Sequence, residues 1–93
     1  MPDRIRYRIF ISGAVQGISL RYRTKEKAEE LKVNGWIKNL EDGRVEMVLE
    51  GEKNKVENLV NWFESEPDWI KIKNTEKIKE NYKGEFKNFS IIY

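Results

Sequence analysis

A chain of 93 residues accommodates one hydrophobic core, so the sequence predicts a single domain over residues 1–93 and excludes a two-domain enzyme. The 18 Lys and Arg residues nearly balance the 16 Asp and Glu residues, and a net charge of +2 lacks the basic surface of a dedicated nucleic-acid binder. Because the chain has no cysteine and no histidine, disulfides, the usual zinc sites and Ser-His-Asp or Cys-His catalysis are excluded.

The N-terminal residues are charged and alternating, unlike the continuous apolar stretch of a signal peptide. Charged residues make up 37% of the chain, which is too polar for a membrane span. We therefore expect a soluble cytoplasmic protein with no membrane partner.

The first half of the chain predicts a strand followed by a helix. Every second residue is apolar over residues 4–12, which is the pattern of a half-buried strand. A loop with two glycines, residues 13–17, ends this strand. Apolar and small residues then recur at helical spacing, which predicts a helix over residues 20–33 with Ser19 as its N-cap and Asn34-Gly35 as its left-handed stop.

The second half predicts a hairpin, a helix and two strands. Strands over 36–39 and 44–50 flank an Asp-Gly turn and are expected to pair antiparallel. A second amphipathic helix carries its apolar stripe over residues 56–63, and we expect Pro67 to end it. Alternating residues then predict strands over 75–81 and 89–93.

The order of these elements is β-α-β-β-α-β with a short C-terminal strand added. This order predicts the α+β class and a ferredoxin-like split βαβ sandwich, in which an antiparallel sheet carries both helices on one face. Pairing of the first and third strands would place Arg4, Arg6 and Arg8 near Glu46 and Glu50, so we expect a solvated ladder of cross-strand charges there rather than a nucleic-acid surface.

The loop between the first strand and the first helix is the best candidate for a binding site. Backbone N–H groups at a helix N-terminus, with the positive end of the helix dipole, form an anion site. Gly13 and Gly17 could equally serve a tight turn without a ligand. Arg21 favours the binding site, because a cation in the first helical turn is unfavourable against the dipole unless an anion lies beside it.

Two segments resemble the signature of the acylphosphatase family. Residues 13–21, GAVQGISLR, are similar to G-x-V-Q-G-V-x-F-R, and residues 35–46, GWIKNLEDGRVE, are similar to G-W-V-x-N-x-x-D-G-x-V-E. The resemblance covers residues 5–51 with clear motifs, and only pattern matches continue to the C-terminus. Ile18 stands where the family has valine, and Leu20 stands where it has phenylalanine.

The resemblance implies an enzyme that hydrolyses the carboxyl-phosphate anhydride of acyl phosphates to a carboxylate and inorganic phosphate. The functional arginine of the family maps onto Arg21 and the functional asparagine onto Asn39. Arg21 can hold two phosphoryl oxygens, and the Asn39 amide can both donate to and accept from an attacking water. The remaining phosphoryl oxygens are assigned to backbone N–H groups of the loop, contributed by Val15, Gln16, Gly17, Ile18, Ser19 and Leu20.

These assignments require no metal and no cofactor, since positioning and charge stabilisation suffice for a substrate with a good leaving group. The expected partners are a small acyl phosphate and inorganic phosphate, which acts as product and inhibitor. We expect a monomer that binds no nucleic acid.

Other interpretations of the same residues stay open at this stage. Arg21 could pair with a surface carboxylate, and Asn39 could only shape the hairpin. The domain could be a non-catalytic phosphate sensor or ligand-binding module, an RNA-binding module of the same fold, or a part of a larger carbamoyl-transfer protein.

Overall fold

The computed structural model describes residues 3–17, 19–65 and 71–93. The described chain forms five strands and two helices. In chain order these are β1 (Arg4–Ala14), α1 (Leu20–Leu31), β2 (Asn34–Asn39), β3 (Val45–Glu52), α2 (Lys53–Glu64), β4 (Lys71–Glu80) and β5 (Phe89–Ile92). This order confirms the predicted ferredoxin-like sandwich with a short C-terminal strand.

The sheet has the strand order β4-β1-β3-β2-β5. The first four strands pair antiparallel, as predicted, whereas β5 pairs parallel to β2 and makes the sheet mixed. After β4, at one edge, the chain turns back and crosses to the opposite edge. Strand β5 therefore runs antiparallel to β4 in direction and parallel to β2.

The predicted first helix is two residues too long, because α1 ends at Leu31 and not at residue 33. The left-handed residue is Lys32, with φ 61°, and its N–H donates to the carbonyls of Ala28 and Glu29. Gly35 lies inside β2, where a Cβ would come within 1.8 Å of the Val48 carbonyl oxygen. The glycine is therefore required by close approach of two strands, and not by the helix stop.

Two other local predictions are modified, and a third, at Pro67, is not tested. Ser19 occupies the N-cap position but is left-handed, with φ 63°, and its side chain makes no capping hydrogen bond. Helix α2 ends at Glu64, and Pro67 lies outside the described residues. Strand β4 begins at Lys71 rather than at residue 75, because its pairing with β1 continues past a register shift at Ser12/Gly13.

The hydrophobic core lies between one face of the sheet and the two helices. Each fully buried aliphatic or aromatic side chain contributes about 1.5–3 kcal/mol to stability through removal from water. Side chains of this core include Ile9, Ile11, Ile37, Met47 and Leu49 from the sheet, Leu20 and Ala28 from α1, Val56, Leu59 and Phe63 from α2, and Phe89 from β5. Neither helix of the described chain has the length and apolar character needed to cross a membrane.

The other face of the sheet carries the predicted arginine ladder. Arg8 contacts Glu46 and Glu80, and Arg6 contacts Glu50 at 3.3 Å. The expectation of a solvated ladder is wrong at its centre, because Arg6 is only 4% exposed and Glu50 only 2%.

The residues between β4 and β5 explain this burial. The crossing segment, residues 81–88, passes over the helix-free face, where the backbone N–H groups of Lys83, Gly84 and Glu85 donate to the Glu50 carboxylate. The Phe86 ring lies 5.3 Å from the Arg6 guanidinium carbon. Sequence periodicity gave no sign that an irregular segment would cover the ladder.

Candidate functional site

A pocket of about 260 Å³ opens where β1 leads into α1. It brings together the two side chains predicted to act, Arg21 and Asn39, although 17 residues separate them in the chain. The other lining residues are Val15, Gly17, Ser19, Leu20, Tyr22, Ile91 and Tyr93. Of the predicted phosphate-binding residues, Gln16 is not in the lining and Ile18 lies outside the described part of the chain.

The N-terminus of α1 forms one wall of this pocket. The first N–H groups of a helix have no partner within the helix, and the Ser19 side chain caps none of them here. The first turn contains no acidic residue and carries Arg21 and Arg23. Gly17 adopts φ 78°, which suits glycine, and shapes the loop that enters the helix. Backbone donors, helix dipole and arginine charge all favour an anion at this end of α1.

Arg21 is half-buried beside this helix terminus. Among residues 3–17, 19–65 and 71–93, no carboxylate lies within 4.0 Å of its guanidinium. Its guanidinium carbon instead lies 5.0 Å from the centroid of the Tyr93 ring. The surface-pair interpretation of Arg21 thus finds no partner in the described chain, and its hydrogen-bond donors are available to an anionic ligand.

Asn39 is the last residue of β2 and pairs with Val45 of β3, which places its side chain at the pocket. Within the described residues its side-chain amide has no hydrogen-bond partner. The hairpin that follows is held by other groups. Leu40 and Arg44 pair through their backbones, with an N–H to carbonyl distance of 2.8 Å, and Gly43 donates to the Leu40 carbonyl.

Asp42 stabilises the same hairpin from its tip. Its carboxylate accepts the Arg44 backbone N–H at 3.0 Å and the Arg44 Nε at 2.8 Å. These two hydrogen bonds hold the pKa of Asp42 below its usual range. The turn conformation therefore does not depend on the Asn39 amide.

The Gln16 side chain connects the loop to this hairpin. Its amide nitrogen donates to the carbonyl oxygens of Leu40 and Arg44, both at 2.8 Å. The loop that precedes Arg21 is thus tied to the turn that follows Asn39. The sequence motif predicts a role only for the Gln16 backbone, because the two carbonyl partners of the side chain are adjacent to it in space and not in sequence.

Leu20, which stands at the position of the family phenylalanine, is only 2% exposed and belongs to the hydrophobic core. The aliphatic side chain is therefore accommodated by core packing at the base of the helix terminus. Leu20 is also one of the residues that line the pocket.

Three residues of the lining were missed from the sequence: Tyr22, Ile91 and Tyr93. Tyr22 follows Arg21 directly and could have been noticed as an aromatic side chain in a polar first turn. Ile91 and Tyr93 reach the pocket only because β5 adds to the edge of the sheet beside β2. No local pattern reports that placement.

Comparison with known proteins agrees with the geometry. The acylphosphatase family model matches residues 7–91. An acylphosphatase of Roseiflexus sp. (strain RS-1) is 43% identical over 93 residues, which is all of both chains. The crystal structure of acylphosphatase from Bacillus subtilis superposes with a TM-score of 0.89 at 32% identity, covering 96% of this chain and 99% of that one.

A larger protein contains the same fold. The crystal structure of full-length HypF, in its phosphate- and nucleotide-bound form, matches with a TM-score of 0.86. The match covers 100% of this chain and 12% of HypF, at 21% identity. At that identity the likeness concerns the fold alone.

Proposed function

This chain is a member of the acylphosphatase family, hydrolases that act on acyl phosphates, and on that premise we propose how its own residues carry out the reaction. In this proposal Arg21 and the backbone N–H groups of residues 15–20 hold the phosphoryl group, and Asn39 positions the attacking water. The observation that carries the proposal is that one pocket contains the helix terminus, a guanidinium without a carboxylate partner in the described chain, and an amide without a hydrogen-bond partner there.

The phosphoryl group fits the charge of this pocket. Its oxygens are anionic, and the first turn of α1 supplies N–H groups without an intrahelical partner, with Arg21 beside them. A guanidinium can donate to two phosphoryl oxygens at once, and each charge-assisted hydrogen bond contributes about 1.5–3 kcal/mol. Arg21 therefore stabilises both the bound substrate and the charge that develops on the oxygens in the transition state.

Asn39 acts on the water. Its amide donates through nitrogen and accepts through oxygen, so it can orient a water without ionising. The water oxygen forms a bond to phosphorus while the bond between phosphorus and the carboxylate oxygen breaks, and the electron pair leaves with the carboxylate. The protons of the water pass to the phosphate and to solvent. Orientation of the water is sufficient because the carboxylate is a good leaving group.

The proposed reaction uses no metal and no cofactor. Among the residues that the structure describes, no three Asp or Glu side chains come together as a potential metal site. A test is release of inorganic phosphate from acetyl phosphate or benzoyl phosphate after exhaustive chelation with EDTA. We expect full activity under these conditions, whereas loss of turnover that magnesium restores would contradict the proposal.

Phosphate binding provides a test that does not depend on turnover. Titration with inorganic phosphate should shift the backbone amide resonances of residues 15–21, and phosphate should inhibit competitively. Shifts confined to another part of the molecule would show that the anion site lies elsewhere.

The role of Asn39 is tested with Asn39→Ala and the matched control Asn58→Ala, an exposed asparagine of α2. Asn39→Ala should lower kcat by about two orders of magnitude, since water positioning is lost, while the Kd for phosphate changes less than about twofold. Asn58→Ala should retain the parent kcat. If Asn39→Ala keeps the parent kcat as well, Asn39 does not position the water.

The sequence also predicts that the enzyme is a monomeric cytoplasmic protein that binds no nucleic acid, and we retain these predictions. The helix-free face supports the last of them. Two of its aromatic rings are already engaged by cations of the same chain: the Arg44 guanidinium carbon lies 4.9 Å from the Phe10 centroid, and Lys38 Nζ lies 5.5 Å from that of Trp36.

A further inference from the structure

A second concavity adjoins the candidate site. It is a groove of about 560 Å³ between α1 and β5, and it shares Tyr22, Ile91 and Tyr93 with the pocket that contains Arg21. Asn39 lines the pocket but not the groove. The groove thus continues the site at residues other than Asn39, the side chain that we assign to the water.

We propose that this groove binds the acyl part of the substrate and favours an uncharged aromatic or aliphatic acyl group. The inference rests on the proposed function, because it takes the phosphoryl group to be bound at Arg21. In-line displacement places the leaving carboxylate opposite the attacking water. With the water at Asn39, the acyl group leaves the pocket on another side, and the groove begins there.

The residues at the mouth of the groove are apolar and aromatic. Tyr22 is 69% exposed and Tyr93 is 95% exposed, so two large rings face solvent beside the site. Exposed aromatic side chains that flank a concave site bind apolar ligands well, because contact with a ligand removes their surface from water. The Tyr93 ring lies 5.0 Å from the Arg21 guanidinium carbon and so joins the phosphate site to the groove, whereas the proposed phosphate recognition gives the Tyr22 ring no role.

The charges further along the groove disfavour a second anion on the acyl group. Lys25 forms an ion pair with Glu29 at 2.6 Å and is therefore neutralised. Glu26 also lines the groove and is exposed. A carboxylate or a second phosphate on the acyl group would meet a net negative charge here, whereas an uncharged ring would not.

The test compares kcat/KM for benzoyl phosphate, acetyl phosphate and 4-carboxybenzoyl phosphate. In Tyr22→Ala the ratio of benzoyl to acetyl phosphate should fall about threefold to tenfold, which corresponds to one aromatic contact. The matched control is Tyr82→Ala, an exposed tyrosine outside both the pocket and the groove, and it should keep the parental ratio. An unchanged ratio in Tyr22→Ala would overturn the inference.

A second variant tests the charge of the groove independently of Tyr22. Glu26→Lys should raise kcat/KM for 4-carboxybenzoyl phosphate relative to benzoyl phosphate by about threefold, because the local repulsion becomes attraction. No change in this ratio would contradict binding of the acyl group along α1.

The failure of the groove and the failure of the proposed function are distinguishable. If the parent protein hydrolyses acyl phosphates but neither variant changes its ratio, only the acyl-binding groove is wrong. If the parent protein releases no phosphate from any of the three substrates above the uncatalysed rate, the proposed function fails and the groove inference fails with it.

Discussion

The arginines on the two sides of this molecule have opposite surroundings. On the helix-free face, Arg6 contacts Glu50, Glu80 and Glu85 and is buried beneath the crossing segment. At the N-terminus of α1, Arg21 has no carboxylate within reach in the described chain and lies in an open pocket.

The difference follows from what each charge is paired with. A buried guanidinium without carboxylates would carry a large desolvation cost, so Arg6 requires the acidic residues that surround it. A guanidinium already saturated by carboxylates could not bind a substrate anion, so a binding arginine must remain unpaired until the ligand arrives. The first arrangement stabilises the fold, and the second is suited to binding an oxyanion.

The largest effect is expected from removing the unpaired arginine. Arg21→Ala should lower kcat/KM by about 100-fold or more and should weaken phosphate binding, because contacts made in both the ground and transition states are lost. The free energy of unfolding should change by less than about 0.5 kcal/mol.

The matched control for this experiment is Arg8→Ala, an arginine with two carboxylate partners on the opposite face of the sheet. Arg8→Ala should retain the parental kcat/KM at temperatures where it is folded. Equal loss of activity in both variants would show that the two regions are not separated in function.

The second effect is on stability and concerns the buried carboxylate. Glu50→Ala leaves three backbone N–H groups of the crossing segment without their acceptor and removes one partner of Arg6. We expect a loss of about 3 kcal/mol in the free energy of unfolding, measured by chemical denaturation. Glu64→Ala, at the exposed end of α2, should change it by less than about 0.5 kcal/mol. Similar values for both variants would contradict a structural role for the crossing segment.

A smaller effect is expected at Gln16, whose side chain connects the loop before Arg21 to the hairpin after Asn39. Gln16→Met keeps the length of the side chain and removes both hydrogen bonds to the hairpin carbonyls. We expect a loss of about 1–2 kcal/mol in stability. Because the hairpin follows Asn39, kcat should fall by about threefold to tenfold, with less change in the Kd for phosphate. Loss of phosphate affinity with an unchanged kcat would assign Gln16 to binding alone.

The smallest effect is the response of the charged face to acid. Burial opposes ionisation of Glu50, but the Lys83 N–H, the Arg6 guanidinium and the Gly84 N–H outweigh it and lower the pKa of Glu50. Hydrogen bonds from Arg8 and Arg6 likewise lower the pKa of Glu80. A carboxyl whose folded pKa is depressed stabilises the protein above the unfolded pKa of about 4.3, and this stability is lost as the pH falls through the folded pKa.

Stability measured from pH 7 to pH 2 should therefore decline below about pH 4.3. In Glu50→Gln the decline should be shallower, since one of the two groups no longer titrates. If stability falls equally with acid in the parent protein and in Glu50→Gln, the ladder does not contribute to acid sensitivity.

Much of the fold could be predicted from the sequence, because its main patterns are local. The alternation of Ile5, Ile9 and Ile11 places one face of β1 in the core, and the spacing from Val56 to Phe63 does the same for α2. Element bounds were less accurate at the end of α1, where Lys32 takes the left-handed conformation expected near Asn34-Gly35. Gly35 is required by the close approach of the neighbouring strand β3, and helical periodicity gives no information about that contact.

The candidate site was predicted in its central parts and missed at its edges. The motif around residues 13–21 and the asparagine at the end of β2 are each visible as short segments of sequence. Their assembly into one pocket agrees with the prediction, while the roles of Arg21 and Asn39 stay predictions until the variants are measured. Tyr93 and Ile91 come from a distant segment and could be found only after β5 was placed beside β2.

The sequence by itself determined the alternation, the helical spacing, the family and the residue types available for catalysis, because each of these is written in neighbouring residues or in a motif of fixed length. Only the tertiary structure decided that residues 81–88 cover the Arg6 and Glu50 pair, and that Gln16 ties the loop to the hairpin. The hydrogen bonds of Gln16 and of Glu50 with the crossing segment join residues 24 to 35 positions apart in the chain. They depend on which strand edges and loops come into contact once the sheet has formed, and the conformational preferences of neighbouring residues do not determine those contacts.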